Sequence, residues 1–228
     1  MVNAQATVAT KPLSTYPWLL RLLFWKQKRS YGRVLHPALL WGRSPRVFTE
    51  LAILYAALDR RASPLAPGLR SLLTVGVSQI NQCAFCVDIN SAKLAERGVP
   101  MEKIDALADW RDSVLFLPEE RLALEYAEAI TFNQVDDDLR QRLKRRWDDD
   151  VIVELTGLIA FQNLSSKFNA ALAVPPTRIL PDADASILPI NQRHDRAANS
   201  SGSVRRGLME CIVPLRHSPL VNELHFLG

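Results

Sequence analysis

Apolar residues recur along this chain at helical spacing, and Gly, Pro and acidic residues punctuate the repeats. After residues 1–12, a run of small and polar residues expected to lack fixed structure, Pro17 suits a first helical turn. Trp18, Leu19, Leu22, Leu23 and Trp25 then crowd one helix with apolar side chains. A second helix is predicted through Val47, Leu51, Leu54, Tyr55 and Leu58, and the Pro- and Gly-containing stretch 62–68 breaks it. From Leu69 to Gln79 the apolar positions Leu72, Leu73, Val75 and Val77 predict a largely buried helix, with Ile80, Asn81 and Gln82 as its junction to the next. That next helix starts at Cys83 and reaches Arg97; Gly98 fits its C-terminal cap and Pro100 blocks continuation.

Four more helices follow by the same logic. They run from Met101 to Trp110, from Pro118 to Thr131 with Glu119 and Glu120 in the first turn, from Asp137 to Trp147, and from Asp150 to Ala173. The last is apolar on more than one face and is expected to be central. No strand alternation is found, so the fold class is all-α. Beyond Pro176 the sequence turns aperiodic and turn-rich, which reads as a disordered tail. The chain therefore divides into a lead-in (1–12), an N-terminal helical extension (13–61), a helical domain (62–176) and an irregular tail (177–228).

Composition narrows the setting. With 228 residues and 48% hydrophobic content, the chain can bury a core in one domain. Its N-terminus lacks the layout of a secretory signal, three cysteines do not make a disulfide scaffold, and a cytoplasmic location is expected. The longest apolar stretches, Pro17 to Trp25 and Val151 to Phe161, are too short to span a membrane. The net charge of +4 is uneven: up to Arg61 ten Lys and Arg residues face only Glu50 and Asp59. No nucleic-acid-binding motif accompanies that basic bias, so nucleic acid is not expected as a partner.

Candidate chemistry centres on Cys83 and Cys86. Two thiols three residues apart share a helix face and can close a disulfide. At a helix start, unpaired N–H groups and the macrodipole favour thiolate over thiol. A thiolate can attack a peroxide to give a sulfenic acid, which a second thiol condenses into a disulfide. The alternative is that both are small apolar packing residues. A zinc site built from Cys83, Cys86, Cys211 and His217 lacks a second close ligand pair, so no metal or other cofactor is expected.

The run from Val77 to Asn90, with Cys83-Ala84-Phe85-Cys86 at its centre, resembles the core of the carboxymuconolactone decarboxylase and alkylhydroperoxidase D-like superfamily. Ala160 to Asn163 and Phe168 to Leu172 resemble that family's closing helix, and the resemblance spans about residues 45 to 176. It implies an alkylhydroperoxidase D-like helical bundle assembling as trimers or hexamers, and a peroxidase cycle in which Cys86 attacks the hydroperoxide and Cys83 resolves. The electrons would come from a dithiol reductant or a thioredoxin- or lipoyl-type protein donor. The family's proton relay has a Glu twelve residues before the first cysteine and a His four after the second; here those positions hold Ser71 and Asn90. Asn90 can hydrogen-bond a thiolate but cannot take up a proton near neutral pH. General-base help has to come from elsewhere or is not used, and His36 is the imidazole available before the tail, although a histidine before a proline is more often a solvated loop residue.

Two other readings stay open. One is a non-catalytic redox-responsive or assembly module of the same fold, with the face of Trp18, Leu22 and Trp25 covering a neighbouring subunit or lying on a membrane surface. The other is a lactone decarboxylase, whose chemistry has no use for a CxxC pair.

Overall fold

A computed structural model describes residues 6–177. Nine α-helices are present among these residues: α1 (Trp18–Tyr31), α2 (His36–Trp41), α3 (Pro45–Leu58), α4 (Pro67–Ile80), α5 (Ala84–Glu96), α6 (Met101–Asp105), α7 (Pro118–Phe132), α8 (Asp137–Arg146) and α9 (Asp149–Ala171). No strand occurs among the described residues, so the fold is all-α as the periodicity predicts. The helix expected over 101–110 divides into α6 and a tighter 3-10 turn at Ala106–Asp109. Of the expected tail, 177–228, all but Thr177 lies outside the described residues, Cys211 and His217 included.

The core forms around α4, which packs against α5, α7 and α9. Every residue from Arg70 to Ser78 is buried, so α4 rather than the longer α9 is the most enclosed element. Its Leu72, Leu73, Val75 and Val77 meet Val87 and Leu94 of α5, Leu124 of α7, and Leu155 and Ile159 of α9 in one cluster. Each such side chain contributes about 1.5–3 kcal/mol by leaving water. Local signals fix the ends: Asp136 and Asp148 accept the N–H groups of Leu139 and Val151 at 2.8 Å, opening α8 and α9. Gly98, at φ 78°, takes the left-handed position just after α5.

The N-terminal extension forms a cap over one side of this frame. Leu20 and Phe24 of α1 face inward with Tyr16 and Ala38, while Trp18, Leu22 and Trp25 are 75%, 53% and 58% exposed. The cap is tightly closed at Gly42, where an added Cβ would stand 2.9 Å from Ala38 O and 3.1 Å from the rings of Phe24 and Tyr16. Two features depart from expectation. Periodicity predicts no separate helix between Tyr31 and Val47, yet α2 forms there; its six residues are too few for a helical period to show. Residues 6–12, expected to be unstructured, contribute Ala6 and Val8 to a buried cluster, and Thr7 N–H donates to Leu172 O at 2.9 Å. Two small apolar residues alternating with polar ones give too weak a signal to read as packing.

Candidate active site

The cysteines sit where α4 hands over to α5. Gln82 adopts a left-handed φ of 53°. Around it the Cys83 N–H reaches back to Ser78 O and the Gln82 N–H to Gln79 O, both at 3.0 Å, a pairing that closes a helix C-terminus. The turn leaves Cys83 as the N-cap of α5, its Sγ accepting the Cys86 N–H at 3.2 Å. A disulfide joins Cys83 and Cys86, whose Cα atoms are 5.2 Å apart. Both sulfurs therefore lie in the first turn of a helix, where partial positive charge favours an anion.

Their surroundings are otherwise apolar. Cys83 and Cys86 are 1% and 2% exposed, so a reactant reaches them only when neighbouring residues move. Leu35 just before α2, Leu40 within it, Phe85, Val174, Ala6 and Val8 share their cluster. Trp41 stacks on Phe168 of α9 with ring centroids 3.7 Å apart, tying α2 to the helix behind the sulfurs. Burial in such a setting raises a thiol's pKa unless donors compensate. One donor is Asn169 of α9: its Nδ2 lies 3.3 Å from Cys86 Sγ, while its buried Oδ1 has no partner. In sequence Asn169 is one of four polar residues, with Asn163, Ser71 and Gln79, that could donate to the sulfurs, helix packing being the commoner role for each; Asn163 donates instead to Thr131 Oγ1 and Ile159 O.

His36 is not a solvated loop residue. It opens α2, its Nε2 is buried without a hydrogen-bond partner, and burial pushes its imidazole below its ordinary value. The Pro that follows it sits in the first helical turn, where a missing N–H costs nothing, so the dipeptide starts a helix instead of a loop. Its neighbour Leu35 packs in the cysteine cluster. Asp88, on another face of α5, accepts the Thr177 N–H at 2.8 Å.

Ser71 and Asn90 are brought together, but in a cleft at the other end of α5. Asn90 donates its Nδ2 to Ser78 Oγ at 3.3 Å, sharing that acceptor with Gln162 Nε2 at 2.9 Å, rather than to a sulfur. Ser71 Oγ accepts from Arg97 at 2.7 Å. The same cleft is lined by Tyr55, Asp59, Arg70, Lys93 and Arg97. Lys93 donates to Asp59 and Tyr55, and Arg97 donates to Asp59 at 2.6 Å. Burial alone would raise the Asp59 carboxyl, but Lys93 and Arg97 outweigh it and hold Asp59 below the usual carboxylate range. Burial alone would likewise lower Lys93, and Tyr55 and Asp59 hold it above its ordinary value. The sequence carries only a faint trace of this cluster: Asn90, Lys93 and Arg97 recur at helical spacing, while their counter-charge Asp59 is 34 to 38 residues away at the C-terminal end of α3.

Comparison with known proteins places this arrangement. The sequence profile of the carboxymuconolactone decarboxylase family matches residues 45–129. The uncharacterized protein YnjA of Escherichia coli (strain K12) is 49% identical over 166 residues, covering 72% of this chain and 91% of YnjA. Among solved structures, an alkylhydroperoxidase AhpD core from Ralstonia eutropha, an uncharacterized peroxidase-related protein, superposes with a TM-score of 0.68 at 20% identity, covering 82% of this chain and 96% of that one. The debrominase Bmp8 gives a TM-score of 0.68 at 20% identity, covering 80% and 98%. These two likenesses speak to the fold alone. With the family profile, a relative near half identity and a CxxC pair opening α5, the chain belongs to the carboxymuconolactone decarboxylase and alkylhydroperoxidase D-like superfamily.

Proposed function

We propose that the protein is a thiol-dependent peroxidase cycling between the Cys83/Cys86 dithiol and disulfide. The observation that carries this reading is the pair itself: two sulfurs in the first turn of α5, bonded to each other, with a side-chain donor on Cys86. A peroxidase-related protein among the structural neighbours supports it, and a debrominase on the same fold means that the site, not the fold, must carry the argument.

In the cycle, the Cys86 thiolate attacks the outer oxygen of a hydroperoxide. The O–O bond breaks, the alkoxide takes a proton and leaves as the alcohol, and Cys86 becomes a sulfenic acid. Cys83 then attacks the Cys86 sulfur; the S–S bond forms and hydroxide leaves, taking the thiol's proton as water. An external dithiol reduces the disulfide, returning two electrons and two protons. The sum is hydroperoxide plus dithiol giving alcohol, water and oxidised dithiol. Asn169 Nδ2 steadies the Cys86 thiolate, and its open Oδ1 is an acceptor for the hydroperoxide O–H. Neither Asn169 nor the Cys86 N–H titrates near neutral pH, so the protons come from substrate, reductant and water rather than from Ser71 or Asn90. Because both sulfurs are buried, turnover requires transient lifting of the cap formed by α2 and residues 6–12.

The test is a pair of variants followed by peroxide consumption and mass spectrometry. Cys86→Ser should abolish consumption, and Cys83→Ser should consume one equivalent and stop at a sulfenic acid. Full steady-state activity in both variants would end the reading. The exposed Trp18, Leu22 and Trp25 face supports an assembly of several copies, with trimers or hexamers expected by family resemblance.

A further inference from the structure

We propose that the outer face of α1 docks on a lipid surface carrying anionic headgroups, a membrane contact that does not depend on the peroxidase reading. α1 is apolar on both sides: Leu20 and Phe24 face inward, whereas Trp18, Leu19, Leu22 and Trp25 remain exposed. A helix apolar all round needs a cover on its outer side as well. The charge around that side says which cover fits. Trp18, Leu22, Trp25 and Arg29 recur at i, i+4, i+7 and i+11 as one stripe, with Arg21 and Lys28 exposed along one flank and Lys26 along the other. The Arg29 guanidinium stands 5.8 Å from the centre of the Trp25 ring, so charge and ring share one level. Eight Lys and Arg residues precede the first acid, Glu50, so residues 1–49 carry no carboxylate side chain at all. Tryptophans rimmed by cations match the boundary of an anionic bilayer, where the rings lie among the headgroups and Lys and Arg stems reach up to the phosphates. A second copy of this face would set cation against cation, and any other protein cover has to bring an apolar surface and a rim of acids together. Assembly of copies does not require the α1 face, because α3 has no buried residue and leaves Val47, Ile53 and Leu54 exposed.

The position of α1 gives the contact a direction. Its inner residues Leu20 and Phe24 pack with Ala38 of α2, and Leu40 of α2 packs with Cys83 and Cys86. α2 therefore lies between the docking helix and the sulfurs, and the docked protein turns the cap over its thiols toward the lipid. The helix lies along the surface rather than through it, since no helix among the described residues is long and apolar enough to cross a membrane.

The experiment floats the full-length, oxidised protein with vesicles of phosphatidylcholine alone or mixed in equal parts with phosphatidylglycerol. The wild-type protein should partition onto the mixed vesicles at least about tenfold more strongly than onto the neutral ones, and lose most of that gain in about 1 M salt. Trp18→Ser combined with Trp25→Ser should weaken binding about tenfold without changing any charge. Any basic protein is drawn to an anionic surface, so the deciding comparison is between two matched charge reversals. One is Lys28→Glu with Arg29→Glu in the last turn of α1; the other is Lys144→Glu with Arg145→Glu in the last turn of α8. The α1 pair should lose at least about tenfold in binding and the α8 pair less than about threefold. No flotation of the wild-type protein, equal loss in the two charge reversals, or unaltered binding of the tryptophan variant overturns the docking site. If the wild-type protein does not float and the tryptophan variant loses its assembly in sedimentation, the face belongs to a neighbouring copy instead. All six substituted side chains are exposed, so the variants should keep the fold, which circular dichroism checks. The wild-type comparison of vesicles and salt stands whether or not they do.

Discussion

The two ends of α5 handle charge in opposite ways. At its start, Cys83 and Cys86 sit in an apolar cluster with neutral donors only, Asn169 Nδ2 and a backbone N–H, so any negative charge on sulfur is supported by dipoles. At its far end, Lys93 and Arg97 keep full charges in a half-buried cleft by pairing with Asp59. Dipoles stabilise a thiolate without supplying a proton, whereas ion pairs supply titratable groups about two turns from the sulfur. Ser71 and Asn90 both line the charged cleft, Ser71 bonded to Arg97 and Asn90 to Ser78, and the sulfurs have preorganised neutral donors instead.

The contrast is broken most strongly at the thiol end. Asn169→Leu removes the side-chain donor to Cys86 Sγ; loss of a hydrogen bond to a charged group should raise the thiol pKa by about one unit and slow the reaction with peroxide about tenfold at neutral pH. Thiolate absorbance against pH checks the first and stopped-flow peroxide consumption the second; a variant within twofold of wild type would remove Asn169 from the site.

At the charged end, Asp59→Asn should cost about 2 kcal/mol and lower Tm by about 4–8 °C, because it leaves Lys93 and Arg97 without their shared partner. The pH dependence has a fixed sign. The Asp59 pKa is depressed, so its contribution is present above its ordinary value of 3.8 and lost as pH falls through the lower folded value. The Lys93 pKa is raised, so its contribution is present below its ordinary value of 10.5 and lost as pH rises through the higher folded one. The stability gap between wild type and Asp59→Asn should therefore be flat through the neutral range and close in strong acid. A gap that grows on acidification would contradict this pairing.

Smaller effects probe the cap. Trp41→Ala removes a stacked contact worth about 1 kcal/mol and should speed reduction of the disulfide by dithiothreitol about fivefold, since opening becomes easier by that amount. An unchanged or slower rate would show that access does not run past α2. Smallest is His36→Ala, expected to change peroxide turnover less than about twofold because its imidazole makes no hydrogen bond at Nε2 and burial favours its neutral form. A tenfold loss would make His36 the missing base.

Much of the frame was legible in the sequence because its signals are local. Pro67, Gly98 and the caps Asp136 and Asp148 each stand within a residue or two of the helix ends they fix. The cysteine pair was legible for the same reason, its spacing and helix start being contained in four residues. What escaped depends on distance along the chain. Asp59 meets Lys93 and Arg97 only after α3, α4 and α5 pack, the choice of Asn169 over Asn163 as the donor to Cys86 is made by a helix 83 residues later, and α2 reaches the sulfurs with Trp41 stacked on Phe168. Periodicity shows that a face is buried, not which partner buries it.

The most direct measurement is the stoichiometry of peroxide consumption by the reduced protein with excess dithiothreitol, alongside the Cys86→Ser variant. The account predicts sustained turnover with one dithiol oxidised per hydroperoxide consumed, and no consumption above background for Cys86→Ser. No turnover by the wild-type protein, or undiminished turnover by the variant, would contradict it.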